Sequence, residues 1–262
     1  MDILDLVENF YNDFKGEKGV IGKSVKNRPI YYLAVKKNEQ PKLIVQFSIH
    51  AREYITSYLA LKLIEDYQRM GKRASVYFIP MLNPDGVKIA LEQNPLYKAN
   101  ANGVDLNVNF DANFGSGKNN VFCKASENYV GEYAFCEPET RAIRDFTLRI
   151  MPHATISYHS KGQEIYYEFF QDQKRKERDY LFANRIADTT GYAIKSTPNS
   201  AGGYKDWCIQ KLKIPALTIE VGKDSLSHPI KEEYLDEIYC ENKGVINASV
   251  EYLTELLCKK NL

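Results

Sequence analysis

The sequence of 262 residues predicts an α/β fold, with a mixed, largely parallel central sheet flanked by helices in three layers. Two observations predict that architecture. Short apolar runs suited to buried strands recur along the chain, and amphipathic segments of helical period separate them. A 44% hydrophobic content suffices for one full core, so residues 1–262 are read as a single domain.

Taken in order, Leu4, Val7, Phe10 and Tyr11 fall at helical spacing and predict an opening helix. Pro29 to Val35 and Lys42 to Ile49 read as strands, separated by the polar turn KKNEQP. Glu53 to Met70 reads as a helix closed by Gly71, and Ser75 to Leu82 as a third strand ending in the turn Asn83-Pro84-Asp85-Gly86. The stretch from Asn94 to Gly131 is polar, rich in Asn and Gly and without period; loops of that length inside a domain are usually functional. A helix follows over Glu137 to Arg149, with Pro138 in its first turn, where a proline is tolerated. Ala154 to His159 is a strand, EIYYEFF a further candidate, Lys174 to Thr190 a helix, Pro215 to Val221 the last strand, and Glu232 to Leu257 the closing helices.

Composition removes several function classes. Lys plus Arg number 35 against 34 Asp plus Glu, which predicts neither phosphate neutralisation nor attraction to an acidic membrane. The acidic start MDILDLVENF lacks the charge and apolar run of a secretory leader, and no stretch is long and apolar enough to span a bilayer. The expectation is a cytoplasmic protein without nucleic-acid partners or a membrane span. Five cysteines with no C-x-x-C pair read as reduced thiols, with a Cys123 to Cys136 bridge as the alternative.

The residues that carry chemistry stand at strand ends. His50 closes one apolar run, and Glu53, three residues on, falls in the first turn of the next helix, so both can converge at the carboxyl edge of the sheet. His159 and Glu220 end two further strands. Two imidazoles and a carboxylate make an open three-ligand site for one Zn2+, with Glu220 placed to take a proton from the attacking water. His153 and His228 both neighbour prolines and read as surface residues.

The segments HAREYIT, NPDG, GVDLN, SYHS, GGYKDW and TIEVG resemble, in their order, the zinc carboxypeptidase family typified by carboxypeptidase A, from about Ile21 to near the carboxyl end. The resemblance implies zinc on His50, Glu53 and His159, Glu220 as general base, and Arg52 polarising the scissile carbonyl. It also implies that Lys98, in a Tyr97-Lys98 pair where the family has Trp-Arg, serves the oxyanion; a solvated loop lysine is the other reading. Asn107 is retained, but Val108 replaces the arginine that normally clamps a free carboxylate. The phenol that often covers the substrate falls at Pro198.

Tyr204, Lys205 and Lys161 are the remaining candidates for substrate contact, the lysines offering positive charge to an acidic group. The wording NANGVDLNVNF, YHSKGQEIYY and SAGGYKDW most resembles the γ-D-glutamyl-L-diamino acid endopeptidase branch. The implied substrate is a peptide or muropeptide cut at the γ-D-glutamyl to meso-diaminopimelate bond. A carboxypeptidase acting on acidic carboxy-terminal residues and an inactive muropeptide-binding module are the rival readings.

Overall fold

The computed structural model describes residues 1–124 and 127–260. Eight strands form one sheet: β1 (Glu17–Lys23), β2 (Pro29–Lys36), β3 (Lys42–Gln46), β4 (Ser75–Ile79), β5 (Ala154–Ser160), β6 (Glu164–Tyr166), β7 (Ala193–Ile194) and β8 (Ala216–Val221). Their order is β1-β2-β4-β3-β5-β8-β6-β7. The four central strands β4, β3, β5 and β8 run parallel, while β1, β2 and β6 make antiparallel pairings toward the edges. The sheet is therefore mixed with a parallel centre, as the alternation of apolar runs and helices predicts.

Alternation along the strands divides the core in two. Leu33, Val35, Leu43, Val45, Val76 and Phe78 join one cluster, whereas Ala34, Ile44, Tyr77 and Ile79 join another. Because neighbouring strand residues point to opposite faces, these clusters occupy the two sides of the sheet. Helices α2 (Ile55–Met70), α5 (Gln173–Thr190) and α8 (Val245–Lys260) pack into the first, and α4 (Pro138–Ile150) and α6 (Tyr204–Trp207) into the second. The opening helix α1 (Ile3–Asp13), together with α3 (Pro84–Glu92), forms a smaller cluster at one edge, and α7 (Leu235–Asn242) precedes α8. No helix among the described residues is long and apolar enough to cross a membrane.

Several expected boundaries shift. The third strand stops at Ile79, before Pro80, which lacks the N–H a ladder needs. Asn83-Pro84-Asp85-Gly86 is the start of α3 rather than a turn: the Asn83 side chain accepts from the Gly86 N–H and Pro84 takes the first helical position. Asparagine at a cap followed by proline is a helix-start signal. The edge strand β1 has no counterpart in the sequence reading, because its glycines and lysines hide the alternation. Among the described residues between Asn94 and Gly131 there is one short 3-10 turn at Leu106–Val108 and an isolated bridge between Val121 and Tyr129, in keeping with the aperiodic composition there. The cysteines are free thiols.

Candidate active site

The strand-end residues converge because the parallel centre aligns them. In the pairing of β5 with β8, His159 stands directly opposite Glu220, so both side chains rise from the same face of adjacent strands. His50 follows β3, which lies on the other side of β5. The backbone turns away from the sheet at Ser48, whose φ of 49° lies in the left-handed region. Hydroxyls from α2 hold that turn: the Ser48 N–H donates to Thr56 Oγ1 at 3.0 Å, and Ser48 Oγ lies 2.7 Å from Ser57 Oγ. Asn83 completes the support, donating from Nδ2 to the carbonyls of Ile49 and Ala99, both at 3.1 Å.

A 3-10 turn over Ala51–Glu53 then brings Glu53 back under His50. His50 Nδ1 lies 2.9 Å from Glu53 Oε1, His159 Nδ1 lies 3.0 Å from Glu53 Oε2, and the two Nδ1 atoms are 3.2 Å apart. All three residues are buried and could together hold a metal ion. Each imidazole is fixed from behind. His50 Nε2 meets Asp105 Oδ1 at 3.1 Å, and His159 Nε2 meets Ser157 Oγ at 2.9 Å. With the outer nitrogens engaged, the inner pair and the carboxylate form the donor set expected of a hydrolytic zinc site.

Electrostatics within this cluster are those of a place built for a cation. Burial disfavours the His50 imidazolium, but Glu53 and Asp105 outweigh it and raise that group to about 9. For His159 burial prevails over Glu53 and lowers the pKa. Burial works against the Glu53 carboxylate, yet the two imidazoles hold it well below its ordinary range. Asp105 is likewise lowered against burial by Lys98 and His50. Glu220 behaves oppositely: burial, reinforced by the Glu53 charge, pushes it well above the usual carboxylate range. A carboxyl that holds a proton this readily has the character of a general acid and base.

A cavity of about 380 Å³ opens over the cluster, lined among others by His50, Lys98, Asn107, Val108, Lys205 and Glu220. Lys98 Nζ pairs with Asp105 Oδ2 at 2.7 Å and donates to Asn128 Oδ1 at 2.9 Å. It is a half-buried, partnered cation on the cavity wall, in place of the solvated loop lysine. Lys205 Nζ pairs with Asp206 Oδ1 at 2.5 Å and donates to the Glu168 carbonyl at 3.0 Å. Both members of that pair are buried and both line the cavity. Asn107 lines it as well, while its Oδ1 accepts from the Tyr204 N–H at 3.1 Å. Gly202 is needed beside it: at φ 86° a side chain there would meet the Val108 carbonyl at 2.7 Å.

Three candidate residues lie elsewhere. Tyr204 is fully buried, its hydroxyl 2.8 Å from Thr147 Oγ1, and it packs against Phe110 beneath the cavity. The helical turn of α6 places Lys205 toward the cavity and its neighbour toward the core. Lys161 turns to Asp224, reaching its carbonyl and, at 3.2 Å, its Oδ1, and is absent from the lining. Arg52 points away from the metal cluster: its Nη1 pairs with Glu127 Oε1 at 3.0 Å beside a second cavity. His228 is half-buried, close enough to feel the charges of Glu53 and Arg52, and so is not a plain surface histidine. His153 Nδ1 accepts from the Lys42 N–H at 3.0 Å, tying β3 to the approach of β5.

Asp105, Ser157, Asn83, Asn128 and Tyr166 also belong to the site and escape the sequence reading. Asp105, Asn83 and Ser157 stand inside the motifs GVDLN, NPDG and SYHS, and Tyr166 inside YHSKGQEIYY, which offered the signal; Asn128 carries none. Tyr166 lines the cavity, its hydroxyl donated to Glu164, which also pairs with Lys195. A phenol is thus present in the cavity wall although position 198 lacks one.

A family model described as zinc carboxypeptidase matches residues 4–243. The γ-D-glutamyl-L-diamino acid endopeptidase 1 of Lysinibacillus sphaericus is 28% identical over 266 residues, covering 88% of this chain and 66% of that protein. Bovine carboxypeptidase B2 is 28% identical over 228 residues, covering 73% of this chain and 54% of that protein. The chain thus spans under two thirds of the length of these relatives. Among solved structures, bovine thrombin-activatable fibrinolysis inhibitor in complex with tick carboxypeptidase inhibitor superposes with a TM-score of 0.86 at 23% identity, covering 98% of both chains.

Proposed function

The chain belongs to the zinc carboxypeptidase family, and from that premise we propose that it hydrolyses the γ-D-glutamyl to meso-diaminopimelate amide bond of peptidoglycan stem peptides. His50, Glu53 and His159 are the residues that would hold the zinc. Zinc supplies a Lewis acid there and makes water nucleophilic near neutral pH.

The remaining work falls to side chains of this chain. Glu220 takes a proton from the attacking water and delivers it to the leaving amine, a transfer suited to a carboxyl whose proton affinity burial has raised. Lys98, already a cation on the cavity wall, faces the charge that develops on the carbonyl oxygen. Arg52, on the second cavity, is replaced by Lys98 in the carbonyl-polarising role. Asn107 orients the leaving residue.

The observation that carries the substrate reading is the floor of the cavity. Val108 stands where a clamp for a terminal carboxylate would, and the deeper wall presents a buried Lys205–Asp206 pair with both signs of charge. A diaminopimelate side chain ends in an ammonium and a carboxylate on one carbon, which such a pair complements. An ammonium has three donors; Lys205 commits two, leaving one for that carboxylate. The name of the Lysinibacillus sphaericus relative favours the same substrate class.

Turnover of L-alanyl-γ-D-glutamyl-meso-diaminopimelate by zinc-loaded protein, beside α-linked peptides ending in Glu, Phe and Lys, tests this reading. We expect kcat/KM on the γ-linked substrate to exceed the others by about a hundredfold or more, as for sites whose buried polar groups need a matching ligand. Faster release of α-linked terminal residues would favour a carboxypeptidase. Stoichiometric zinc without turnover of any peptide would favour a binding module.

A further inference from the structure

The metal cavity has a neighbour. A second cavity of about 350 Å³ shares Lys98, Asp105 and Asn128 with the first and is otherwise walled by Arg52, Asn94, Leu96, Tyr97, Ala99, Gly103 and Glu127. The turn Ala51–Glu53 accounts for this arrangement: Glu53 points into the metal cluster, and Arg52, one residue earlier, points into the adjoining space.

The guanidinium there is incompletely used. Its Nη1 donates to the Leu96 carbonyl at 3.3 Å and pairs with Glu127, while its Nε is enclosed and has no partner among the described residues. Glu127 is 56% exposed against 21% for Arg52, so it is a displaceable occupant of a carboxylate position. A planar fork whose one carboxylate partner is exposed and displaceable, beside a cavity and beside the bond-breaking centre, is a receptor for a carboxylate.

We infer that Arg52 binds the free α-carboxylate of a γ-linked acidic residue on the acyl side of the scissile bond, and so distinguishes that acid from its neutral amide. This rests on the γ-glutamyl reading above and goes beyond it by assigning the acyl-side determinant. In a γ-linked glutamyl residue the α-carboxylate carbon is four bonds from the scissile carbon, roughly 5 Å at about 1.5 Å per bond. In an α-linked peptide the chain at that end carries neutral amides. An α-linked residue with a neutral side chain brings no anion within a few ångströms of the reacting carbonyl, whereas the γ-linked acidic residue always does, and the second cavity places a cation one residue from a metal-binding carboxylate.

The test compares two γ-linked substrates that differ in one group: L-alanyl-γ-D-glutamyl-meso-diaminopimelate and its D-isoglutaminyl form, in which the α-carboxylate is a neutral amide. Zinc-loaded wild type is expected to prefer the acid by about ten- to a hundredfold in kcat/KM, the range for a hydrogen bond to a charged group. Arg52→Gln should bring that ratio to within about threefold of unity, and Arg52→Lys, which keeps the charge and loses the fork, to an intermediate value. Glu127→Gln removes the competing carboxylate and should lower KM for the acid several-fold while leaving the amide substrate unchanged, an effect that damage to the fold would not produce. Equal turnover of the two substrates by wild type, or an undiminished ratio in Arg52→Gln, would overturn the inference and leave the γ-linked reading standing. Turnover of α-linked peptides alone would overturn both.

Discussion

The two cavities that meet at Lys98 and Asp105 are built from different material. The floor of the metal cavity comes from strand ends: His159 and Glu220 are opposed in β5 and β8, and His50 follows β3 over a backbone pinned by Thr56, Ser57 and Asn83. His50, His159, Glu53 and Asp105 there are buried and mutually paired, and Lys98 pairs with Asp105. Apart from Arg52, the second cavity comes from the aperiodic loop between Asn94 and Asn128, and it has an exposed carboxylate at its mouth. The bond-breaking groups sit at strand ends, whereas most of the second cavity's wall sits on a loop, where composition can change without disturbing the core.

That contrast predicts graded effects. Replacement of a strand-end donor is the severest: His159→Ala is expected to lose zinc and all measurable turnover, read by metal analysis and kcat, because two remaining donors no longer close the site. Lys98→Met, at the boundary between the cavities, should lower kcat by about a hundred- to a thousandfold with little change in KM, the usual cost of removing an oxyanion donor. Lys98→Arg should recover part of it. Asp105→Asn leaves the donors intact but loosens His50 from behind, and should weaken zinc affinity about ten- to a hundredfold in a competition titration with a chelating dye.

The smallest effect concerns the scaffold of the loop. Asn100 Nδ2 donates to both Glu137 and Glu139, tying the start of the second cavity's loop to α4. Burial, ahead of the Glu137 charge, raises Glu139 to about 7 from 4.5. The folded state therefore holds a proton that the unfolded state has lost between those values. This contribution to stability is full below pH 4.5 and declines, by on the order of 3 kcal/mol, as pH rises through 7. Denaturant midpoints measured from pH 4 to 8 should fall across that window, and Glu139→Gln should flatten the slope.

The same contrast explains what the sequence could disclose. His50, His159 and Glu220 were legible because each ends an apolar run, and a run in a parallel sheet fixes where its end points; Glu53 was legible from its spacing of three after His50. Strand β1 was not, since its lysines and glycines carry little alternation, and the Asn-Pro of α3 passed for a turn because both elements share that chemistry. Side chains that act across the fold were harder still. Asp105 reaches His50 from 55 residues away, and Lys161 and Tyr204 lie near site residues in sequence but are turned aside, one by Asp224 and the other by helical geometry. Adjacent positions in a helix or turn face different ways, so nearness to a motif did not predict nearness to the cavity.

The central claim is that Glu220 moves the proton at a metal centre assembled without it. Glu220→Gln keeps the side chain's size and removes its titration. Measured together on the purified variant, zinc content and kcat on the γ-linked substrate are expected to give one zinc per chain and a rate lower by about a thousandfold or more. A variant that keeps its zinc and turns over at close to the wild-type rate would contradict the account.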